Sequence, residues 1–286
     1  MAQTVLDVAR SAAGVLAERA NIENARLEAE LLLAHVLGLR RIDLYLQFDR
    51  PLEETELEAY RSAVRRRLRR EPLQYIVGET GFRNLVLKVD RRALIPRPET
   101  EVLVGEVLEW AARSGAKRAL DIGTGSGAIA LSLAQESQLD QVTATDVSAD
   151  ALCLARENAE RLGLTGRVDF RLGESWTALA PDERFDIIVS NPPYVAEADR
   201  ASLAPEVRDW EPATALFAEN HGLAVIEEIV TGAAPHLAPG GLLALEVGLE
   251  QASRVAGMAA ECGHYKPARI VLDLTGRERV VLAERS

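Results

Sequence analysis

The chain has 286 residues, 48% hydrophobic and 27% charged, so it can bury a substantial core and is long enough for one main domain and a smaller one. A formal net charge of −11 argues against a broad nucleic-acid-binding face, which needs surplus Lys and Arg, and suits a basic partner better. Cys153 and Cys262 are too few for a disulfide framework, and Asp7, Arg10 and Glu18 break the first apolar stretch, so a soluble cytoplasmic protein without signal peptide or membrane span is expected.

Up to Arg70, apolar residues recur at spacings of three and four (Leu6, Ala9, Ala13 and Leu16; then Leu27, Leu31, Leu32, Val36 and Leu37), which predicts a helical domain over residues 1–70. Asn24 is placed to cap the second helix and Gly38 to end it. A third helix opens at Thr55, whose spacing to Glu58 fits a capping box. Its last turns carry Arg61, Arg65, Arg66, Arg67, Arg69 and Arg70, read as a solvated face near a helix C-terminus, or else as a patch for a polyanion. Over residues 71–92 the period changes to two, predicting a linking β-hairpin with strands at 74–77 and 84–89 around a turn at 78–81. After Pro96 and Pro98, residues 102–112 read as a helix whose N-terminus Glu99 or Thr100 can serve.

From Arg118 onward strands and helices alternate, the pattern of a doubly wound α/β domain with a mostly parallel sheet. Strands are predicted at 119–122, 142–146, 168–172, 185–190, 242–247, 268–272 and 278–282, the last two as an antiparallel pair.

Asp121-Ile122-Gly123-Thr124-Gly125-Ser126-Gly127 follows the first strand and opens a helix, the place where open α/β sheets bind ligands. The spacing departs from the G-x-G-x-x-G of dinucleotide-binding folds. Asp121 would repel a pyrophosphate but can meet the ammonium of an amino-acid-like ligand, and Asp146, ending the second strand, can accept both hydroxyls of a ribose. A nucleoside with an amino-acid tail satisfies both acids, and S-adenosylmethionine is such a molecule. Glu174, Ser175 and Trp176 follow the third strand, where the adenine would lie. The histidines (His35, His221, His236 and His264) are isolated and lack metal-ligand spacing, so no metal is assigned.

Asn191-Pro192-Pro193-Tyr194 closes the apolar run 185–190. Proline has no N–H and a fixed φ, so carbonyls at the strand end lose their ladder partners and are held in one orientation. With the Asn191 side-chain oxygen they form converging acceptors beside the flat face of Tyr194, a site for a planar –NH2 group.

With these elements in one domain, the chain resembles the N5-glutamine methyltransferases of the PrmC/HemK family, which modify peptide chain release factors. Nearly the whole chain takes part. The resemblance includes Ile95-Pro96-Arg97-Pro98-Glu99-Thr100-Glu101, Gln74-Tyr75-Ile76 with Gly78, Glu211-Pro212, Ala215-Leu216, Glu246-Val247-Gly248 and Asp273-Leu274-Thr275-Gly276-Arg277-Glu278-Arg279-Val280. The 95–101 motif is much more specific than the tetrapeptide, which amino-methyltransferases of DNA and RNA share. Glu174 stands where the family usually has Asp.

The resemblance implies a class I, Rossmann-like methyltransferase domain over 93–286, with a seven-stranded mostly parallel sheet and an N-terminal helical domain for substrate recognition. It implies S-adenosylmethionine as cofactor, held by Asp121, Gly123, Thr124, Gly125, Ser126, Gly127, Asp146, Glu174, Ser175, Trp176 and Asn191. It implies catalysis by Asn191, Pro192, Pro193 and Tyr194, which with Arg97 and Glu99 also bind the substrate, the glutamine of a release factor's Gly-Gly-Gln loop. Direct nucleic-acid binding is not expected. Competing readings are glutamine methylation of a ribosomal protein, methylation of the adenine amino group, which needs a basic groove that the net charge disfavours, and a binding module without activity.

Overall fold

The computed structural model describes residues 3–286, so residues 1 and 2 of the predicted 1–70 domain lie outside the described residues. The chain divides into two compact units, one running from the N-terminus through Glu79 and taking in Ala204–Trp210, the other formed by Thr80–Leu203 and Glu211–Ser286.

The first unit is built on helices α1 (Val5–Ala20), α2 (Ala25–Leu37), α3 (Glu54–Leu68) and α4 (Leu73–Val77). Val8, Ala12 and Leu16 of α1, Ala29, Leu32 and Leu33 of α2, and Leu57, Tyr60 and Ala63 of α3 share one core, the periodic positions read from the sequence. Helix α3 starts before Thr55. The Glu53 N–H donates to the Glu56 carboxylate at 2.9 Å, so the capping pair is 53/56 and not 55/58. Leu52 and Leu57 explain the choice, since both are buried in the same core and staple the helix entry there.

Arg61, Arg65 and Arg69 of the run are exposed, as the solvated-face reading expects, and carboxylates neutralise most of the run, which argues against an anion patch. Arg67 is only 4% exposed and pairs with Glu28 at 2.5 Å and Glu206 at 2.8 Å. Arg70 also reaches Glu206, at 2.7 Å, while Arg66 pairs with Glu71 and Arg65 with Glu58, both at 2.6 Å.

The predicted strand at 74–77 is helix α4, entered from Pro72 and stopped by Gly78 at φ 84°. The hairpin lies further on, as β1 (Glu79–Phe82) and β2 (Leu85–Lys88) around Arg83 at φ 51°. Phe82, Leu85 and Leu87 are its buried positions, and a register that turned them outward would expose all three.

The second unit continues with α5 (Pro98–Ser114), β3 (Arg118–Ile122), α6 (Ala128–Glu136), β4 (Gln141–Asp146), α7 (Ala149–Arg161), β5 (Val168–Leu172) and β6 (Phe185–Ser190). It closes with α8 (Ala224–His236), β7 (Leu237–Glu246), α9 (Ala252–Cys262), β8 (Arg269–Leu272) and β9 (Glu278–Glu284). Helix α5 opens four residues before the predicted 102, because Pro98 with its fixed φ suits the first helical turn. Seven strands form one sheet in the order β8-β9-β7-β6-β3-β4-β5. The core strands pair parallel, while β9 runs antiparallel to both β7 and β8.

Residues alternate across the sheet. Ala119, Val142, Ile187, Val189 and Ala244 join Leu103, Val107 and Leu131 of α5 and α6 in one core, while Leu120, Ile188, Leu243 and Leu245 join Ile226, Ile229 and Val255 of α8 and α9 in the other. The chain runs from β3 outward through β4 and β5, then returns to place β6 on the other side of β3. Such a reversal opens a crevice at the carboxyl ends of the strands.

Candidate active site

A cavity of about 360 Å³ occupies that crevice, lined by residues 123–126, 146–148, 173–175, Asn191, Pro193, Arg97 and Thr100, among others. One end is made mostly of backbone. The N–H groups of Gly123 and Thr124 donate to the Thr145 carbonyl at 2.9 and 3.0 Å, folding the loop over the end of β4. Gly125 donates to Asp146 Oδ2 at 2.9 Å and Ser148 N–H to Oδ1 at 2.8 Å, which fixes the carboxylate in the cavity wall. Burial pushes the Asp146 carboxyl above its ordinary range, against these backbone donors. Gly127, at φ 86°, begins α6 where a Cβ would stand 2.9 Å from Leu131 Cδ1. Asn158 on α7 braces the loop, its Nδ2 donating to the Ser126 carbonyl at 2.9 Å and to that of Lys88 at 3.0 Å.

Two expectations for this end are corrected. Asp121 does not line the cavity: it is fully buried, and its Oδ2 accepts from Thr124 Oγ1 at 2.7 Å and Ala130 N–H at 3.2 Å, so it supports the loop from behind. Burial raises its pKa to about 7. Trp176 is also outside the cavity. Its ring stacks on His236 at 5.2 Å and packs with the α8–α9 core, which draws the indole away from the wall that Glu174 and Ser175 do line.

The other end is made of side chains. Asn191 Nδ2 donates to Thr100 Oγ1 at 3.0 Å, and Thr100 donates to Glu246 Oε2 at 2.6 Å. The Tyr194 hydroxyl donates to Glu246 Oε1 at 3.3 Å and accepts from Arg279 at 3.0 Å. Glu246 is fully buried, and desolvation raises its pKa against the Thr100 hydrogen bond and the Arg279 charge. Burial likewise pushes the Tyr194 hydroxyl up to about 12. Gln251 Nε2 donates to the Tyr194 carbonyl at 3.1 Å, and Ser190 Oγ donates to the Ile122 carbonyl at 2.7 Å, so β6 ends in a fixed place beside β3.

Of the tetrapeptide, Asn191 and Pro193 line the cavity, whereas Pro192 is buried and Tyr194 is tied beneath. The Tyr194 ring carries the Arg279 guanidinium 5.2 Å from its centroid. Arg97 lines the cavity with its guanidinium on Glu211 at 2.5 Å. Glu99 does not line it, and its charge instead raises the pKa of Glu246. Thr100 does not cap α5 as expected, because its hydroxyl is committed to this network. No local pattern marks Thr100, Glu246, Arg279 or Asn158 for the site, and the only signal is that the first three fall inside the motifs of the resemblance. Among the described residues, no group of three or more His, Cys, Asp or Glu is placed to hold a metal ion, and no helix is long and apolar enough to cross a membrane.

Comparison with known proteins adds the following. The family described as PrmC N-terminal domain matches residues 7–78, and the Methyltransferase small domain family matches residues 99–207. A release factor glutamine methyltransferase of Geobacter sulfurreducens is 46% identical over 277 residues, 97% of this chain and 94% of that one. Its counterpart in Deinococcus radiodurans is 43% identical over 269 residues, 94% of each chain. Among solved structures, a methyltransferase from Pyrococcus furiosus superposes with TM-score 0.53 at 20% identity, over 71% of this chain and 89% of that one. The T. thermophilus 16S rRNA N2 G1207 methyltransferase, in complex with AdoMet and guanosine, gives 0.52 at 21%, over 73% and 50%. At these identities the solved structures speak to the fold alone, the Rossmann-like, mostly parallel seven-stranded sheet described above.

Proposed function

The chain belongs to the release factor glutamine methyltransferase family, and from that premise we infer the chemistry of its site: transfer of a methyl group from S-adenosylmethionine to the side-chain amide nitrogen of a release-factor glutamine, the one in its Gly-Gly-Gln loop. The observation that carries this reading is Asn191. Its side chain lines the same cavity as Asp146 and commits its nitrogen to Thr100, leaving its oxygen as an acceptor.

The donor set fits the cofactor. Asp146 uses one lone pair on each oxygen for backbone N–H groups and keeps others for two ribose hydroxyls, while Glu174 and Ser175 supply a polar edge for an adenine. When bound, S-adenosylmethionine supplies a methyl group on a positively charged sulfur. The residues present the nitrogen to it.

An amide nitrogen is a poor nucleophile because its lone pair is delocalised, and its pKa lies far above what a carboxylate could remove, so prior deprotonation contributes nothing. The Asn191 oxygen instead accepts one N–H hydrogen, and in this reading the backbone carbonyl of Pro192, whose ring is buried off the cavity wall, accepts the other; together they fix the direction of the nitrogen and stabilise positive charge growing on it. One well-placed polar group of this kind is worth roughly 3–4 kcal/mol, and holding reactants in line about 7–11 kcal/mol, so positioning is the larger contribution. The proton leaves to water once the nitrogen has gained the methyl.

We further propose that the helical unit reads the release factor, since one glutamine side chain offers too little surface for specificity. Its exposed Ile42, Tyr45, Leu46 and Phe48, with Leu46 80% exposed, supply apolar contact area. The net charge of −11 speeds encounter with a basic partner, an effect that salt screens over about 8–10 Å. Direct nucleic-acid binding has no part in this reading.

Mass spectrometry of release-factor peptides after incubation with labelled S-adenosylmethionine tests the function. The label is expected on the Gly-Gly-Gln glutamine amide, and label elsewhere or nowhere would refute the assignment.

A further inference from the structure

We propose that Glu246 is a positioning residue for the transfer: through Thr100 it sets the Asn191 amide with its oxygen toward the substrate, and through Tyr194 it holds the other end of the same tetrapeptide. The inference rests on the reading that Asn191 accepts a substrate N–H.

Glu246 sits at the end of β7 with no exposed surface, Thr100 in the first turn of α5, and Arg279 on β9. A carboxylate has no hydrogen to give, so the 2.6 Å contact uses the single hydrogen of the Thr100 hydroxyl. Thr100 Oγ1 can then only accept from Asn191, 3.0 Å away, and this selects the amide rotamer with Nδ2 on Thr100 and Oδ1 free. Without the carboxylate the same hydroxyl could donate to Oδ1. The amide would then turn over and present its –NH2 to the substrate's –NH2, donor against donor. The second arm runs the same way, with Arg279 donating to the Tyr194 hydroxyl at 3.0 Å and that hydroxyl donating to Glu246 at 3.3 Å. Every hydrogen along the two arms points toward Glu246. An ion pair of 3.8 Å between Arg279 and Glu246 holds the charge in place. A carboxylate used only to neutralise Arg279 would need no contact with Thr100, and a threonine used only to start α5 would need none with Asn191.

The test uses the full-length enzyme, with an intact release factor as substrate, saturating S-adenosylmethionine and single-turnover rates, and cofactor affinity measured in parallel by calorimetry. Thr100→Val should slow transfer about tenfold or more, the loss expected for a hydrogen bond to a charged network, while cofactor Kd moves by less than about threefold. Thr100→Ser should restore most of the rate. Glu246→Gln, whose amide can turn an N–H toward Thr100, should slow transfer at least severalfold. In an Asn191→Ala background Thr100→Val should cost nothing further, because it acts through Asn191, and Glu246→Gln should cost less than it does alone, keeping only its share through Tyr194. Additive losses there, a wild-type rate for Thr100→Val, or no rescue by Thr100→Ser would overturn the inference. If Thr100→Val no longer binds cofactor, Thr100→Ala is read in its place by the same criteria. A wild-type rate for Asn191→Ala alone would instead refute the acceptor role on which the inference rests.

Discussion

At the Gly123–Gly127 end of the cavity the holding is done mostly by backbone N–H groups and a few contiguous residues, whereas at the Asn191 end it is done by side chains from positions 100, 191, 194, 246 and 279. The first end has to recognise an unreactive part of a ligand. In the proposed reading a wall whose shape is fixed by local backbone hydrogen bonds is enough for that, with Asp146 held in it as a charged contact. The second end has to orient a weak nucleophile, where an error in the direction of one acceptor costs rate directly. Its acceptor is therefore fixed from behind, by a buried carboxylate reached through one hydroxyl. The two ends are therefore expected to fail differently when damaged, one in affinity and the other in rate.

The largest expected effect lies at the side-chain end. Asn191→Ala should lower the single-turnover rate roughly a hundredfold or more, about 3–4 kcal/mol, in a transfer assay on intact release factor. Loss of a few-fold only would put the acceptor role elsewhere.

Next comes Asp121, which separates support of the loop from contact with the ligand. Its pKa is raised from 3.8 to about 7 in the folded protein, so the native state holds this proton more tightly than the unfolded chain does. The associated stability is complete below pH 3.8 and is lost as pH rises toward about 7. The rise from 3.8 to about 7 corresponds to roughly 4.5 kcal/mol at about 1.4 kcal/mol per unit, and an amide N–H left unpartnered where Asp121 Oδ1 is buried offsets about 1–2 kcal/mol of it, so Asp121→Asn should be more stable than wild type at pH 8 by on the order of 3 kcal/mol. Denaturant unfolding should show that advantage shrinking as pH falls to 5, and an advantage that grows toward acid would have the sign wrong.

A comparable or smaller effect is expected of Asp146→Ala, which should weaken cofactor binding by about 1.5–3 kcal/mol in calorimetry. The smallest belongs to Trp176. With its indole on His236 and outside the cavity wall, Trp176→Leu should lower the melting temperature yet leave cofactor affinity within about 0.5 kcal/mol. A large loss of affinity would return Trp176 to the adenine site.

The contrast also explains what could be read from the sequence. The core strands were legible because 185–190 and its neighbours are short apolar runs between turn signals, and the place of the Gly-rich loop and Asp146 in one crevice because they end successive strands. The early start of β7 at Leu237 was hidden by Pro239-Gly240-Gly241, which reads as a turn and forms a register shift against β6. Helix α4 was hidden by the β-branched Ile76 and Val77 in a segment too short for a helical period. The side-chain end was not legible at all as a network. Thr100 lies 91 residues from Asn191 and 146 from Glu246, and no local pattern marks residues that meet only in the folded sheet. Asp121 and Trp176 failed for the converse reason, since their positions suit the ligand but the packing behind the loop and the α8–α9 core claim their side chains.

The division of labour is tested most directly by measuring cofactor affinity and single-turnover rate on the same preparations of Asn191→Ala and Asp146→Ala. A crossed result is predicted. Asn191→Ala keeps cofactor affinity within a few-fold of wild type and loses about two orders of magnitude in rate, while Asp146→Ala loses affinity but recovers a rate within a few-fold once cofactor is saturating. Parallel losses of affinity and rate in both variants would contradict it.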